Sequence, residues 1–416
     1  MPSSIVLGAT GITGREIVKA LAADQEKWGK VYALSRSQKD SYPSHVVHRP
    51  IDLLTSAEEM AKSLEGVEGE YVFFAAYMEQ AEEEKACEVN GKMLSNFLKA
   101  LDLTNASSKV RRIVLVTGAK QYGVHLGQPK NPMLETDPWL TDSSVWPPNF
   151  YYVQQDILKS FCAEPKHNHI SWTVTYPNDV IGFAKGNFMN LATSIGIFAA
   201  IHRELASSQN EKGFLPFPGS ESFYTRFDSF TSAPLHAQFC LWAASSPRAA
   251  NEAFNVVNGD VQSWQDLWPR VARRFGLQIR PNQFLHAERD EYSGLQKTTT
   301  LKTKPPLSIL ADEIGLRGRV GESKLEQRIN LEAWSKLDSV RAAWDRIVQR
   351  EGIERDGLQK ATWAFCDFIL GRNYDLVISM SKAREMGWTG YQDTWRSLAD
   401  VFDELEAEKV LPKTRA

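Results

Sequence analysis

Two adjacent tyrosines, Tyr151 and Tyr152, lie in the segment NFYYVQQDIL, where the pattern predicts the start of a helix. A phenol can donate a proton, but with a pKa of about 10 it is a weak acid unless a cation lies nearby. Lys159 is about 12 Å beyond Tyr151 along a helix axis, which is too far for easy contact. Lys120, in VTGAKQYG, follows a predicted strand, and an adjoining loop can reach Tyr151. The spacing alone leaves open whether the two residues form an acid–base pair or whether the tyrosines pack a helix start and Lys120 is solvated.

Three glycines, Gly8, Gly11 and Gly14, form a GxxGxxG pattern between a predicted first strand and a predicted first helix. Glycine permits a tight turn, and it lets the backbone approach a pyrophosphate at the N-terminus of a helix. The pattern alone is weak, because glycine-rich turns are common between strands and helices. Its position in a strand–turn–helix context, followed by an alternating α/β pattern, favours dinucleotide binding.

The second predicted strand ends in Ser35, Arg36 and Ser37, where an NAD-preferring site usually has an acidic residue. A guanidinium and two hydroxyls suit a 2′-phosphate, because arginine offers charge-assisted and bidentate hydrogen bonds. The sequence therefore favours NADP(H), and the alternative is that Arg36 is a solvated residue at a strand end. Asp52 falls where an acid at the end of a third strand could accept a hydrogen bond from the adenine amino group.

Apolar runs alternate with helical patterns through the first half of the 416-residue chain. The runs are SIVLGA, KVYALSR, GEYVFFAAY, RRIVLVTGA and ISWTVTYP. Continuous apolar runs that are each followed by a helix predict a parallel sheet covered on both faces. We predict an α/β fold with a Rossmann-type doubly wound sheet over residues 1–180 and a smaller, mainly helical C-terminal cap over residues 181–416. Whether segments of the cap return to the sheet is left open.

Composition excludes several classes of function. The formal net charge is −3, so no strongly basic field invites nucleic acid or an anionic membrane. The apolar segment NFMNLATSIGIFAAI is short for a membrane span and predicts a buried helix. The first residues lack the pattern of a secretory signal, and the four cysteines show no CxxC pairing, which favours reduced thiols in a cytoplasmic protein. His167 and His169 lack further ligands nearby, so we predict no metal site.

Segments along nearly the whole chain, in order, carry a resemblance to a known family: GATGITG, LVTGAKQYG, NFYYVQQDIL, FMNL, NEAFNVVNGD and WAFCDFILG. Together they resemble the progesterone 5β-reductase and iridoid synthase family, extended short-chain dehydrogenases/reductases that reduce activated C=C bonds with NADPH. The combination of TGxK and NFYY is far more specific than the glycine pattern. The resemblance implies that Lys120 is the catalytic lysine, that Tyr151 is the catalytic tyrosine and that Tyr152 is not catalytic.

The same resemblance implies where a cofactor and a substrate bind. The cofactor-binding residues would be Gly8, Thr10, Gly11, Ile12, Gly14, Ser35, Arg36, Ser37, Asp52, Leu53, Ala76, Thr117, Gly118, Lys120, Tyr151, Pro177, Asn178, Val180, Met189 and Asn190. The substrate residues would be Tyr77, Phe150, Met189, Trp363 and Phe365. For the three aromatic residues Phe150, Trp363 and Phe365, packing in the core is the alternative.

By this resemblance the chain would transfer hydride from NADPH to the β-carbon of a small apolar α,β-unsaturated carbonyl compound, with Tyr151 and Lys120 stabilising the enolate. Several segments depart from the family pattern, among them Gln155–Asp156 and the turn Tyr176–Asp179, and these departures concern the substrate. One alternative is a non-reductive cyclase, isomerase or epimerase on the same scaffold. Another is a regulatory NADP-binding module of the NmrA-like type, against which the presence of both Tyr151 and Lys120 argues. Whether the protein forms a homodimer is left open.

Overall fold

The computed structural model describes residues 1–186, 190–208, 213–285 and 292–414. Across these ranges the strands are β1 (Ser4–Leu7), β2 (Val31–Ser35), β3 (Val46–Pro50), β4 (Tyr71–Phe74), β5 (Arg112–Val116), β6 (Ser171–Pro177), β7 (Val180–Ile181), β8 (Phe227–Asp228), β9 (Thr231–Ser232), β10 (Glu252–Val256), β11 (Gln262–Ser263), β12 (Lys297–Thr300) and β13 (Lys324–Gln327). The helices are α1 (Ile12–Ala23), α2 (Ala57–Ser63), α3 (Glu83–Leu103), α4 (Phe150–Ala163), α5 (Leu191–Ser208), α6 (Glu221–Thr225), α7 (Ala233–Ser245), α8 (Trp264–Arg274), α9 (Leu331–Trp334), α10 (Asp338–Glu351), α11 (Gly357–Lys360), α12 (Trp363–Gly371), α13 (Ser381–Glu385) and α14 (Thr394–Ala407).

Seven strands form one parallel sheet in the order β10–β6–β5–β4–β1–β2–β3. Alternate residues of a strand point to opposite faces. In β1, Ile5 and Leu7 share a buried cluster with Leu94 of α3, whereas Val6 lies with Ile17 of α1. Helices therefore cover both faces, which explains why the strands read as continuous apolar runs. The predicted Rossmann-type doubly wound sheet is confirmed.

Two strands of the sheet were not among the five apolar runs. The strand β3 is partly exposed along most of its length and lies at one edge of the sheet, so its apolar signal is weak. The strand β10 pairs with β6 at the other edge, although it lies in the part of the sequence assigned to the cap. A segment of that part therefore returns to the sheet.

The chain passes repeatedly between two hydrophobic cores. Phe239 of α7, Phe254 of β10 and Trp388 are buried in the core of the sheet. Phe198 of α5 and Trp334 of α9 belong to a second core, which the helices of the C-terminal half build. The helices thus form a cap that is joined to the sheet by more than one chain segment.

The predicted buried helix after residue 186 is α5, in which 13 of 18 residues are buried. None of the helices in the described ranges combines the length and the apolar character that a bilayer crossing requires. In the same ranges no group of three or more His, Cys, Asp or Glu side chains is placed to hold a metal ion.

Within the cap, Asp367 of α12 holds the start of the short helix α9. Its carboxylate accepts hydrogen bonds from the backbone amide of Leu331 at 2.9 Å and from the side-chain amide of Asn330 at 3.0 Å. Only 4% of Asp367 is exposed, and burial raises the pKa of its carboxyl from 3.8 to about 7. The folded protein therefore binds a proton here at pH values where the unfolded chain has lost it.

We expect Asp367→Asn to remove a pH dependence from the stability of the protein. The pKa of the Asp367 carboxyl is higher in the folded protein than in the unfolded chain. Its contribution to the free energy of unfolding is therefore fully present below about pH 4 and is lost as the pH rises towards 7. Between these limits the unfolding free energy of the wild type should fall relative to Asp367→Asn by up to roughly 1.4 kcal/mol per pH unit. Urea denaturation of both proteins between about pH 5 and 8 measures this difference, and identical pH slopes would contradict it.

Candidate active site

The glycine-rich turn between β1 and α1 is shaped so that side chains are excluded from it. Gly8 has a φ of +73°, in the left-handed region that favours glycine, and a Cβ there would lie 2.7 Å from the carbonyl oxygen of Ala75. A Cβ at Gly14 would collide with the carbonyl oxygen of Gly8. Gly11 begins α1 without a capping side chain, so amides of the first helical turn remain open to a ligand. These features fit the pyrophosphate of a dinucleotide.

A cleft of about 820 Å³ runs from this turn along the carboxyl ends of the strands to the first turn of α4. The predicted residues that line it are Gly8, Thr10, Gly11, Ile12, Ser35, Arg36, Asp52, Leu53, Ala76, Tyr77, Thr117, Gly118, Lys120, Tyr151, Pro177, Asn178, Val180 and Phe365. The structure thus brings the glycine turn, the strand ends and the tyrosine–lysine pair to one cavity. Their roles as ligands of a cofactor or a substrate stay predictions.

Three residues predicted to bind the cofactor lie outside the cleft wall. Gly14 lies against the backbone carbonyl of Gly8 in the turn, where a Cβ would have no room. Ser37 is exposed, and its carbonyl accepts a hydrogen bond from the Ser35 hydroxyl at 2.9 Å. Asn190 is buried, and it caps α5 by accepting a hydrogen bond from the Ala192 amide at 2.9 Å. None of the three residues lines the cleft.

On the substrate side, two aromatic predictions need correction. Trp363 is buried against Trp334, with 5.4 Å between the ring centroids, and it does not line the cleft. Phe150 is also buried, behind Tyr77, whose ring stacks on it at 5.4 Å. Core packing, the alternative considered for both, describes them. Met189 lies outside the described residues.

The wall of the cleft also contains charged and aromatic residues that the sequence analysis missed. They are Lys39, His125, Lys360, Phe368 and Arg372, and the wall also includes Asp179, from the turn that departs from the family pattern. Lys39, three residues beyond Arg36, donates a hydrogen bond to the carbonyl of Lys185 at 2.9 Å. Its charge so close to Arg36 was a signal that could have found it. His125 follows Lys120 by five residues, whereas Lys360, Phe368 and Arg372 come from the cap and only the fold brings them here.

Tyr151 is held at the cleft by a capping interaction. The side chain of Asn149 accepts a hydrogen bond from the Tyr151 amide at 3.0 Å and donates one to the Lys120 carbonyl at 2.8 Å. The Tyr151 hydroxyl lies beside Gly118, where a Cβ would come within 3.0 Å of it. Within the described part of the chain, this hydroxyl has no hydrogen-bond partner. It is therefore available to a molecule in the cleft.

The ammonium of Lys120 is paired with a carboxylate that the sequence did not indicate. Its Nζ donates to both oxygens of Glu83, at 2.6 and 2.7 Å, and lies 5.3 Å from the centroid of the Phe150 ring. The Nε2 atom of His125 lies 3.7 Å from the same carboxylate. Glu83 is the first residue of α3, inside an acidic run of the sequence that looks like a solvated face.

The expectation that Lys120 makes Tyr151 more acidic is wrong for this arrangement. Burial raises the pKa of the Tyr151 hydroxyl, and the neighbouring Tyr77 and Glu83 raise it further. The physical reason is that Lys120 is bonded to Glu83, whose negative charge offsets the ammonium. Tyr151 is therefore a neutral hydroxyl, suited to donating a hydrogen bond. Burial also lowers the pKa of His125 well below its usual range, and Lys120 lowers it further, so this imidazole is neutral.

Tyr152 has a different task. Its hydroxyl donates to the Gln121 carbonyl at 2.7 Å and accepts from the Leu140 amide at 3.1 Å, inside the protein. Gln155 belongs to the same network, because its amide donates to Gln121 at 2.8 Å and accepts from the Tyr176 hydroxyl at 2.7 Å. The departures at Gln155 and Tyr176 thus form a buried polar network behind the cleft.

Comparison with known proteins gives a family and full-length relatives. The family model described as a PRISE-like Rossmann-fold domain matches residues 4–284. An uncharacterized protein of Schizosaccharomyces pombe is 42% identical over 414 residues, covering 99% of this chain and 98% of its own. A (S)-8-oxocitronellyl enol synthase of Nepeta racemosa and a 3-oxo-Delta(4,5)-steroid 5-beta-reductase of Arabidopsis thaliana are each 28% identical, and each alignment covers 98% of this chain and 93% of the relative.

We expect Gly14→Ala to abolish dinucleotide binding, because the new Cβ would force the Gly8 carbonyl out of the turn. Titration of the protein with NADPH, followed by fluorescence, measures the affinity. Gly294→Ala is the matched control, since a Cβ at Gly294 meets no atom within 4 Å. Circular dichroism checks that both variants fold. Binding by Gly14→Ala at the wild-type affinity would contradict the assignment of the turn.

Proposed function

The chain belongs to the PRISE-like Rossmann-fold family, and we propose that it is an NADPH-dependent reductase of α,β-unsaturated carbonyl compounds. The observation that carries this proposal is the single cleft that joins the glycine turn to Tyr151 and Lys120. The names of the relatives, a steroid 5-beta-reductase and an enol synthase, support an enzyme related to the short-chain dehydrogenases/reductases.

The cleft fits a nicotinamide nucleotide. A bound NADPH would be held by the glycine turn, by Arg36 and Asp52 at the strand ends and by the segment 177–180, and it would supply the hydride for the β-carbon of the substrate. Arg36 is exposed and has no ion-pair partner in the described ranges, and Lys39 lines the cleft three residues further on. Two cations at this edge favour a 2′-phosphate, and hence NADPH over NADH.

The residues of the chain act on the carbonyl oxygen of the substrate. The neutral Tyr151 hydroxyl donates a hydrogen bond to that oxygen, and this bond strengthens as hydride addition converts the carbonyl compound into an enolate. Lys120 and Glu83 carry opposite charges, so the pair positions an ammonium at the cleft without a large net charge. Asn149 fixes the backbone of both Lys120 and Tyr151. Solvent then protonates the α-carbon, which completes the addition of two hydrogens across the C=C bond.

The walls of the cleft define the class of substrate. Tyr77, Phe365 and Phe368 offer aromatic surface, and Met78 and Val124 add aliphatic contacts. A small, mainly apolar carbonyl compound would bury its carbon skeleton there. The proposal includes a cytosolic location, because the four cysteines are free thiols.

We expect Tyr151→Phe to bind NADPH with unchanged affinity and to lose most of the turnover, roughly 100- to 1000-fold, as removal of one oxyanion donor does elsewhere. Tyr152→Phe should retain turnover but lose thermal stability, because two buried hydrogen bonds disappear. Oxidation of NADPH by a series of small enones measures the turnover of each variant. Equal losses of turnover in both variants would reject Tyr151 as the catalytic tyrosine.

We also expect Arg36→Ala to lower the preference for NADPH over NADH by roughly 10- to 100-fold, the value of a charge-assisted hydrogen bond. The ratio of kcat/KM for the two nucleotides measures that preference, and Arg226→Ala, at a residue that does not line the cleft, is the control. An unchanged ratio would remove Arg36 from the phosphate site.

The same enone series separates the proposal from the other readings of the scaffold. A reductase consumes one NADPH for each product molecule, whereas a cyclase, isomerase or epimerase converts its substrate with no net loss of NADPH. Binding of NADPH without turnover of any enone would favour a regulatory module.

A further inference from the structure

The cap helix α12 and the residue that follows it contribute three side chains to the cleft that contains Tyr151. Phe365, Phe368 and Arg372 line the cleft; the two phenylalanines, three residues apart, lie on one side of the helix, and Arg372 follows its last residue. Phe365 is 36% exposed, so its ring is accessible from the cavity. The cap therefore presents two aromatic rings followed by a single guanidinium.

The guanidinium of Arg372 is buried with unused hydrogen-bond donors. Its side chain is 1% exposed, and its Nη2 donates to Asp179 at 2.6 Å. Its Nη1 lies 3.7 Å from Asp228, too far for a hydrogen bond, and neither Nη1 nor Nε has a hydrogen-bond partner among the described residues. Buried polar groups are nearly always hydrogen-bonded, so donors left unpaired at a cavity wall indicate a ligand.

The position of the guanidinium is fixed by its surroundings. The rings of Phe223 and Phe368 each lie 5.4 Å from its central carbon. The backbone carbonyl of Arg372 accepts a hydrogen bond from the Ser220 hydroxyl at 2.7 Å. A donor that is held in this way can select a partner by position as well as by charge.

The charges around Arg372 decide which kind of group it can receive. Burial, and then the negative Asp179, raise the pKa of Asp228 well above its usual range, although the Arg372 guanidinium opposes this, and the shift favours the neutral form of Asp228. The charges of Arg372 and Asp179 then cancel each other. A further free carboxylate would gain little from a pair without net charge, whereas an uncharged oxygen could accept a hydrogen bond from the unused donors at no such disadvantage.

We propose that Arg372 is a specificity-determining residue that donates a hydrogen bond to an uncharged oxygen of the substrate, a second carbonyl or a hydroxyl remote from the conjugated carbonyl at Tyr151. This inference rests on the proposed function. Arg372 belongs to the cap and follows the aromatic rings of α12, which supports a place on the substrate side, and its partner Asp179 lies in the segment 177–180 beside the proposed cofactor site. The substrate is thus an apolar skeleton with oxygen at two separated positions.

The test compares linear 2-alkenals of graded length with the same chains bearing a terminal methyl ketone or a terminal carboxylate. We expect the wild type to prefer the ketone at one chain length, and Arg372→Lys to lower kcat/KM for that ketone by roughly 10- to 100-fold. Lysine retains the charge for Asp179 but lacks the forked donors. The plain alkenal of equal length should be affected by less than about threefold, and the affinity for NADPH should be unchanged.

Arg226→Lys is the matched control. Arg226 pairs with Asp375 at 2.8 Å, its side chain is 42% exposed and it does not line the cleft. Equal losses for ketone and alkenal would make Arg372 a structural residue. A loss confined to the affinity for NADPH would make it a cofactor ligand. A wild-type preference for the carboxylate would reject the uncharged oxygen. Each of these three results overturns the inference.

A second variant tests the charge argument independently. Asp179→Asn combined with Asp228→Asn removes both carboxylates that face Arg372 and leaves its charge uncompensated, so the preference should shift from the ketone towards the carboxylate. Asn tolerates the positive φ of 36° that Asp179 has. If the ratio of kcat/KM for the ketone to kcat/KM for the carboxylate stays unchanged, the charge argument is contradicted.

Binding measurements keep the inference separate from the proposed function. Calorimetry measures how tightly the complex of the protein with NADP⁺ binds two saturated compounds of equal length. One is the alkanal that bears the terminal methyl ketone, and the other is the plain alkanal. If no alkenal is reduced, the proposed reductase activity fails. Arg372 would still be supported by weaker ketone binding in Arg372→Lys, and it would be rejected by unchanged ketone binding.

Discussion

The ion pair between Lys120 and Glu83 is the interaction on which the site depends. It joins the turn after β5 to the first residue of α3, and the Glu83 carboxylate adds to the effect of burial, which raises the pKa of Tyr151. An isolated ammonium beside a phenol would favour phenolate, which accepts hydrogen bonds but cannot donate its own proton. Because the site is buried and Glu83 offsets the ammonium, the phenol keeps its proton, as the proposed stabilisation of an enolate oxygen would require. The carboxylate is therefore as much a part of the site's chemistry as the lysine.

Close backbone approach is the second requirement. The Tyr151 hydroxyl can lie over the end of β5 because Gly118 has no side chain, and the first turn can close because Gly8 and Gly14 have none. In a parallel sheet the carboxyl ends of all strands lie along one edge, so groups far apart in sequence meet there. The cleft follows from this topology, and the small residues keep it open.

Sequence reasoning succeeded where a local pattern carried the information. Buried parallel strands read as apolar runs, and Tyr151 and Lys120 stand in segments with recognisable order. Sequence reasoning failed where the role of a residue depends on the direction in which its side chain points. Every position of WAFCDFILG except Asp367 is apolar or small, so periodicity could not tell that Phe368 faces the cleft while Trp363 faces the core. Glu83 was hidden for a similar reason, since its acidic neighbours look alike until the helix is placed.

The repeated passage of the chain between the two cores limits how such a protein can diversify. A contiguous exchange of residues 181–416 with those of a relative would replace β10 as well, and β10 supplies the hydrogen bonds along the outer side of β6. The β10 strand of any grafted cap must therefore pair correctly with a β6 strand that comes from a different protein. New specificities are more accessible through single replacements on the cavity-facing side of α12 than through recombination of whole modules, because those positions can vary while the shared strands stay as they are.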